Sequence, residues 1–217
     1  MAKINRLDIL RRLVAHCGYR SYLEIGVAGG STFRALEVER KVGVDPDWRL
    51  WYLLRREVKK VTSDRFFARN RERFDLVFID GLHVAAQTWR DLENALAVLN
   101  PGGTVLLHDC LPASREQQQV PRGDQVAWTG DVWRAFLKAS QQPDLHTFLC
   151  DTDRGCGVVR REPRPAGVPV APGGFDALAV QGVSWEEFDA HKHEWLRIVP
   201  PEGIFAVLDA LDPGGRR

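Results

Sequence analysis

Four short apolar runs constrain this chain more than any other feature. They are Tyr22–Ile25, Lys41–Val44, Phe74–Ile79 and Thr104–Leu107, and each carries an acidic residue at or just beyond its end. The runs are continuous rather than alternating, and helix-patterned stretches separate them. That combination predicts parallel strands covered on both faces, hence an α/β fold. The strands of such a sheet end along one edge. Glu24, Asp45, Asp80 and Asp109 therefore gather there.

The intervening segments fit this reading. Residues 4–17 place Ile4, Leu7, Leu10, Leu13 and Val14 at helical spacing, with Arg6, Arg11 and Arg12 between them. Gly30 or Ser31 is expected to cap a helix running to residue 39, and residues 48–57 read as another helix. A brief edge strand is expected over Val58–Val61, and helices over 84–99 and 129–140. His146–Cys150 and Gly157–Arg160 flank Asp151-Thr-Asp-Arg-Gly155, a hairpin pattern. Residues 110–126 carry two prolines and Gln117-Gln-Gln119, and read as a lid loop. The main domain, this loop included, is expected over 1–162. Residues 163–217 form a linker and a helical extension that is not an independent domain. Trp185, Phe188, Trp195 and Leu196 in this tail pack either on their own sheet or on a second subunit, which leaves a homodimer open.

Composition removes several function classes. There are 30 basic against 29 acidic residues, so the large basic excess of a general nucleic-acid binder is missing. No apolar run approaches the roughly 20 residues of a membrane span. The first residues are charged where a signal peptide needs an apolar core, which predicts a cytoplasmic protein. The four cysteines are far apart and form no CxxC, so zinc ribbons and disulfide scaffolds are poor readings.

Chemistry concentrates in the strand-end turns. Glu24-Ile-Gly26-Val-Ala-Gly29-Gly30 puts glycines where a strand becomes a helix, which allows close ligand approach. It is not a GxGxxG, and Glu24 would serve a pyrophosphate poorly and a cationic ligand well. Asp45 lies 19 residues after Gly26, where an acid can bind ribose hydroxyls. Thr62-Ser63-Asp64 follows the edge strand, within reach of an adenine.

Taken together, Leu23-Glu-Ile-Gly-Val-Ala-Gly-Gly-Ser-Thr32, Val42-Gly-Val-Asp45, Phe74–His83 and Leu99-Asn-Pro-Gly-Gly103 resemble the successive motifs of class I S-adenosylmethionine-dependent methyltransferases. The resemblance covers about residues 20–160. It implies a Rossmann-like, seven-stranded, mostly parallel sheet in the order 3-2-1-4-5-7-6, with strand 7 antiparallel and helices on both faces. It implies S-adenosylmethionine as cofactor. Glu24 would meet the methionine end, Gly26, Gly30 and Ser31 would shape the turn around it, Asp45 would hold the ribose diol, and Ser63 and Asp64 would lie near the adenine. Asp80 would border the same cleft.

A finer resemblance is to small natural-product O-methyltransferases acting on sugars, in which acids after the fourth and fifth strands hold a divalent metal. Carried over, the ligands are Asp80 and Asp109, with His108 standing where that pattern has a further acid. The exchange leaves Mg²⁺, the softer Mn²⁺ or no metal open. His83 sits where the pattern carries an acid as base. A histidine suits proton removal from an acceptor hydroxyl near neutral pH. The expected catalytic residues are therefore His83, Asp80 and Asp109.

Each assignment has a plainer alternative. His83 can cap a helix or line the pocket, His108 can be a satisfied core residue, and Trp128 and Trp133 can be core rather than acceptor pocket. The function expected is methyl transfer to a small-molecule hydroxyl, a sugar or a phenol. The competing readings are N- or carboxyl-methylation without metal, RNA methylation, which the near-neutral charge disfavours, and a non-catalytic S-adenosylmethionine binder.

Overall fold

The computed structural model describes residues 3–47, 56–169 and 182–213. The helix expected over 48–57 and the end of the linker at 170–174 fall almost wholly outside the described residues. The chain opens with α1 (Arg6–Cys17), β1 (Ser21–Ile25), α2 (Ser31–Ala35), β2 (Arg40–Val44), β3 (Val58–Lys59) and α3 (Ser63–Phe67). β4 (Phe74–Ile79), α4 (Ala85–Ala97), β5 (Leu99–Leu107), α5 (Val132–Ser140), β6 (His146–Cys150) and β7 (Cys156–Arg160) follow. The tail supplies α6 (Trp185–Trp195), β8 (Ile198–Val199) and α7 (Ile204–Asp209).

Among the described residues the sheet order is β3-β2-β1-β4-β5-β7-β6-β8, with β7 antiparallel to both neighbours. The expected order is present, but the sheet has eight strands rather than seven. The addition is β8, which lies parallel beside β6. Its pairing is short, and the tail enters the sheet there instead of only covering it. Helix α2 is also shorter than expected, because Leu36 turns to extended backbone.

Two apolar cores lie on opposite faces of the sheet. Leu23, Ile25, Val77, Val105 and Leu107 meet α4, α5 and α6. Tyr22, Leu76, Phe78 and Leu106 meet α1, α2 and α7. This is the period-two alternation of a strand. It also sorts the polar ends of the strands, since Glu24, Asp80 and His108 continue the second series, toward α1. In the tail, Phe188, Trp195 and Leu196 are buried in the first core. Trp133 is fully buried there and stacks on Phe188 at 4.2 Å, so it is a core residue. No helix among the described residues is long and apolar enough to cross a membrane.

Helix α1 starts at a fixed point. The Asn5 side chain accepts from Leu7 N–H and the Asp8 carboxylate accepts from Asn5 N–H, a reciprocal cap. Gly18 ends the helix in the left-handed conformation. Arg6, the first helical residue, is thereby held over the strand ends.

Candidate functional site

A cavity of about 410 Å³ opens over the ends of β1, β2 and β4. Gly26, Asp45, Ser63, Asp64 and Asp80 line it, together with Gln87. Gly26 has φ +87°, and a Cβ there would come within 2.0 Å of the Asp80 carbonyl oxygen. The glycine is thus required by the backbone of the neighbouring strand end, before any ligand is considered. Asp45 is buried and accepts from Ala28 N–H at 2.7 Å and from Asp47 N–H at 2.8 Å. It ties the β2 end to the turn after β1. At the far end of the cleft, the Gln87 amide donates to Ser63 Oγ, Asp64 Oδ1 and Asp91 Oδ1. Gln87 and Asp91, both on α4, also line the cleft. The sequence marks neither, because each reads as an ordinary polar helix position.

Three expected cofactor residues lie off this cleft. Gly30 caps α2 with φ +72°. Ser31 borders a smaller cavity of about 260 Å³, shared with Arg6, Thr32 and Asp153. Glu24 is buried and accepts from the Tyr22 hydroxyl at 2.6 Å. Burial pushes its carboxyl up to about 8, and the charge on Asp80 acts in the same direction.

Asp80 joins the cleft to a dense charge network. Its Oδ1 lies 3.3 Å from His83 Nε2 and 3.2 Å from His108 Nδ1. On the other side, Asp109 is 3.3 Å from His83 Nδ1, 3.3 Å from His108 Nδ1 and 2.6 Å from Arg154 Nε. Burial opposes charge on His108, but hydrogen bonds to Asp109, Asp153 and Asp80 outweigh it and raise the imidazole to about 10. Burial would likewise raise Asp80, yet its hydrogen bonds to His108 and His83 hold it well below the usual carboxylate range. His108 is therefore buried but not apolar in its surroundings. Cys110, next to this network, is buried, and desolvation raises its thiol, the reverse of what a thiolate nucleophile needs.

The β6–β7 turn reaches into this network. Asp153, Arg154 and Gly155 have φ of +49°, +63° and +87°. The turn docks through Cys110 N–H to the Gly155 carbonyl at 3.0 Å and Leu111 N–H to the Arg154 carbonyl at 2.8 Å. Arg154 is thereby aimed at Asp109, itself left-handed at φ +59°. Trp128, just after the loop of residues 110–126, stacks on His83 with ring centroids 5.1 Å apart. A Cβ on Gly130, φ +59°, would meet the His83 carbonyl at 1.8 Å. Trp128 faces the site while Trp133 belongs to the core. Arg6, Gly130, Asp153 and Arg154 are contributors that local sequence patterns do not mark.

The site has a donor set suited to a divalent cation. Ligand atoms of Asp80, His83 and Asp109 all lie within 4.8 Å of one another. His83 Nδ1 is buried with no hydrogen bond aligned on it, which fits a nitrogen reserved for an ion. His108 falls in a second such set, with Asp153 and Cys156, and its ring nitrogens lie 2.7 and 3.0 Å from Arg6 Nη1.

Residues 23–110 match the family model described as a methyltransferase domain. No curated protein matches the chain by sequence. Among solved structures, a Staphylococcus aureus protein assigned as a caffeoyl-CoA O-methyltransferase is 19% identical with a TM-score of 0.54, covering 72% of this chain and 83% of its own. A Klebsiella pneumoniae protein assigned as an O-methyltransferase is 16% identical with a TM-score of 0.56, covering 74% and 82%. The O-methyltransferase TomG of Streptomyces achromogenes, involved in tomaymycin synthesis and solved in complex with SAM, is 17% identical with a TM-score of 0.52, covering 72% and 79%.

Proposed function

We propose that the chain is a class I S-adenosylmethionine-dependent methyltransferase, a reading supported by the match of residues 23–110 to a methyltransferase domain model, and that it moves the sulfonium methyl group to a hydroxyl of a small molecule. The observation that carries this reading is His83, held between Asp80 and Asp109 beside the cleft. Methyl transfer is an in-line displacement from an already activated donor, so the protein must align the acceptor and take its proton. An imidazole braced by two carboxylates suits that task. The O-methyltransferase names of the structural neighbours agree with a hydroxyl acceptor, and a sugar or phenol of a natural product is the acceptor class we favour.

Within the cleft, Asp45 holds the ribose diol, Ser63 and Asp64 face the adenine, and Gly26 lets the ligand cross the strand end. Glu24 serves the methionine amine, whose positive charge would reverse the upward shift of this carboxyl. His83 Nδ1, 3.3 Å from Asp109 Oδ2 but with no aligned hydrogen bond, favours a second reading, in which Asp80, His83 and Asp109 hold Mg²⁺ or Mn²⁺. A bound ion there would lower the pKa of the acceptor hydroxyl and orient it.

Calorimetric titration of chelator-stripped protein with S-adenosylhomocysteine, with and without Mg²⁺ or Mn²⁺, tests the proposal. The expected affinity is on the order of micromolar, weakened at least about tenfold by Asp45→Ala. A metal heat lost in Asp80→Ala would select the second reading. No nucleoside binding under any condition overturns the methyltransferase function.

A further inference from the structure

Away from the cleft, the chain concentrates positive charge in one place. Residues 56–73 hold seven of the 30 basic residues and three of the 29 acidic ones, a local excess of four in a chain whose total is +1. The rest of the chain is therefore net acidic. The stretch includes β3, which forms one edge of the sheet among the described residues. A second cavity of about 410 Å³ lies there, and it shares no lining residue with the cleft over β1, β2 and β4. Its volume falls within the range of small-molecule sites.

This cavity has an apolar part and a cationic rim. Val61 and Phe66 are half-buried, pack against the first core and leave apolar surface on the lining. Phe66 is braced by Phe67, edge to face at 5.4 Å. Lys59, Arg65, Arg69 and Arg71 supply four exposed cations. Lys59 Nζ donates to the Arg56 carbonyl at 3.2 Å, and Arg71 Nη1 to the Asn70 carbonyl at 3.0 Å. Both acceptors are neutral, so neither charge is compensated. The guanidiniums of Arg65 and Arg69 make no hydrogen bond or ion pair among the described residues. Glu72 is the one acid on the described lining, and it is paired with Arg40. The acid of α3, Asp64, faces the cleft instead and accepts from the Gln87 amide at 3.0 Å.

Four like charges around one hollow repel one another until an anion enters. Two open guanidinium forks match the oxygens of a phosphate, and the apolar surface beside them suits an organic body. We propose that this cradle is a second ligand site, and that it binds a compact phosphate ester, with the phosphate on Arg65 and Arg69 and the apolar body on Val61 and Phe66. The inference stands apart from the proposed methyl transfer. A compact ligand fits better than a long nucleic-acid strand, because the basic surface is local and the neighbouring cleft is lined by Asp45, Asp64, Asp80 and Asp91.

The test is calorimetric titration at constant low ionic strength with phenyl phosphate and with inorganic phosphate. Phenyl phosphate should bind the wild-type chain with Kd on the order of 0.1 mM. It should bind at least about threefold tighter than inorganic phosphate, because its ring covers apolar surface. Arg65→Gln combined with Arg69→Gln should weaken phenyl phosphate binding at least about tenfold. Both positions are exposed and partnerless, so the urea midpoint of this variant should match the wild type. Should the double variant fail to fold, Arg69→Gln alone decides, with a loss of at least about threefold expected. No saturable binding of phenyl phosphate, or equal binding by the folded variant, overturns the site. Equal affinity for the two phosphates overturns the organic-ester assignment. A single-stranded RNA that expels phenyl phosphate and loses affinity in the same variant overturns the compact-ligand reading and makes this edge an RNA surface.

Discussion

The edge formed by the strand ends holds its acids in two different ways. On the side of β1, β2 and β3, each acid has a short private set of partners. Asp45 takes two backbone amides, and Glu24 takes one hydroxyl. On the side of β5 and the β6–β7 turn, three carboxylates, two imidazoles and two guanidiniums contact one another, drawn from positions as far apart as Arg6 and Arg154. The first region is organised by backbone and can be altered one residue at a time. The second is organised by mutual charge, and its members should respond as a unit. A cofactor with a fixed shape fits the first kind of site. Proton removal, which needs charges that adjust to each other, fits the second.

The largest expected effect is in the backbone-organised half. Gly26→Ala drives a methyl group into the Asp80 carbonyl from a left-handed backbone, and should lower unfolding stability by on the order of 3–5 kcal/mol. Urea denaturation checks this. A loss under about 1 kcal/mol would show that the turn can relax.

The next effect separates a private acid from a shared one. Burial raises Glu24 to about 8. Between the ordinary carboxyl range and that value, the folded chain keeps a proton that the unfolded chain has released. Stability therefore falls as pH rises through this window, by at most about 1.4 kcal/mol per pH unit, and levels off above it. Glu24→Gln should flatten this slope while the rest of the profile stays. Parallel profiles for the two proteins would place Glu24 in a wetter setting than the Tyr22 contact implies.

The smallest effect is the most diagnostic of the comparison. Asp109→Asn and Arg154→Gln should be non-additive, with a coupling of about 1 kcal/mol in a double-mutant cycle, discounted because Arg154 is partly exposed. Asp45→Asn and Arg154→Gln share no partner and should add within about 0.5 kcal/mol. Equal coupling in both cycles would erase the distinction between the two halves.

The same division explains what the sequence reveals. The strands, the β6–β7 hairpin and the acids at the strand ends are legible, because burial on two faces leaves continuous apolar runs and sharp stops. Asp80, His83, His108 and Asp109 are legible as neighbours for that reason. Arg6 is not. It reads as a solvent-facing position of an amphipathic helix, and nothing local announces a contact with His108, 102 positions away. Gly130 and Arg154 look like loop residues until the chain folds back on His83 and Asp109. Strand β8 escapes because Ile198–Val199 is too short to carry a pattern, and its pairing comes from β6. Private sites are written in local sequence, whereas shared ones depend on closure over long chain separations.

The measurement that bears most directly on the account is transfer of labelled methyl from S-adenosylmethionine to a panel of phenols and sugars, by the wild-type chain and by His83→Gln. The wild type should label a hydroxyl acceptor. His83→Gln should keep its affinity for S-adenosylhomocysteine while transfer falls about 10²–10⁴-fold, as expected for loss of a general base. Undiminished transfer by His83→Gln would contradict the assignment of the shared half of the site, and a wild-type chain that binds the nucleoside but labels no acceptor would contradict methyl transfer to a small hydroxyl.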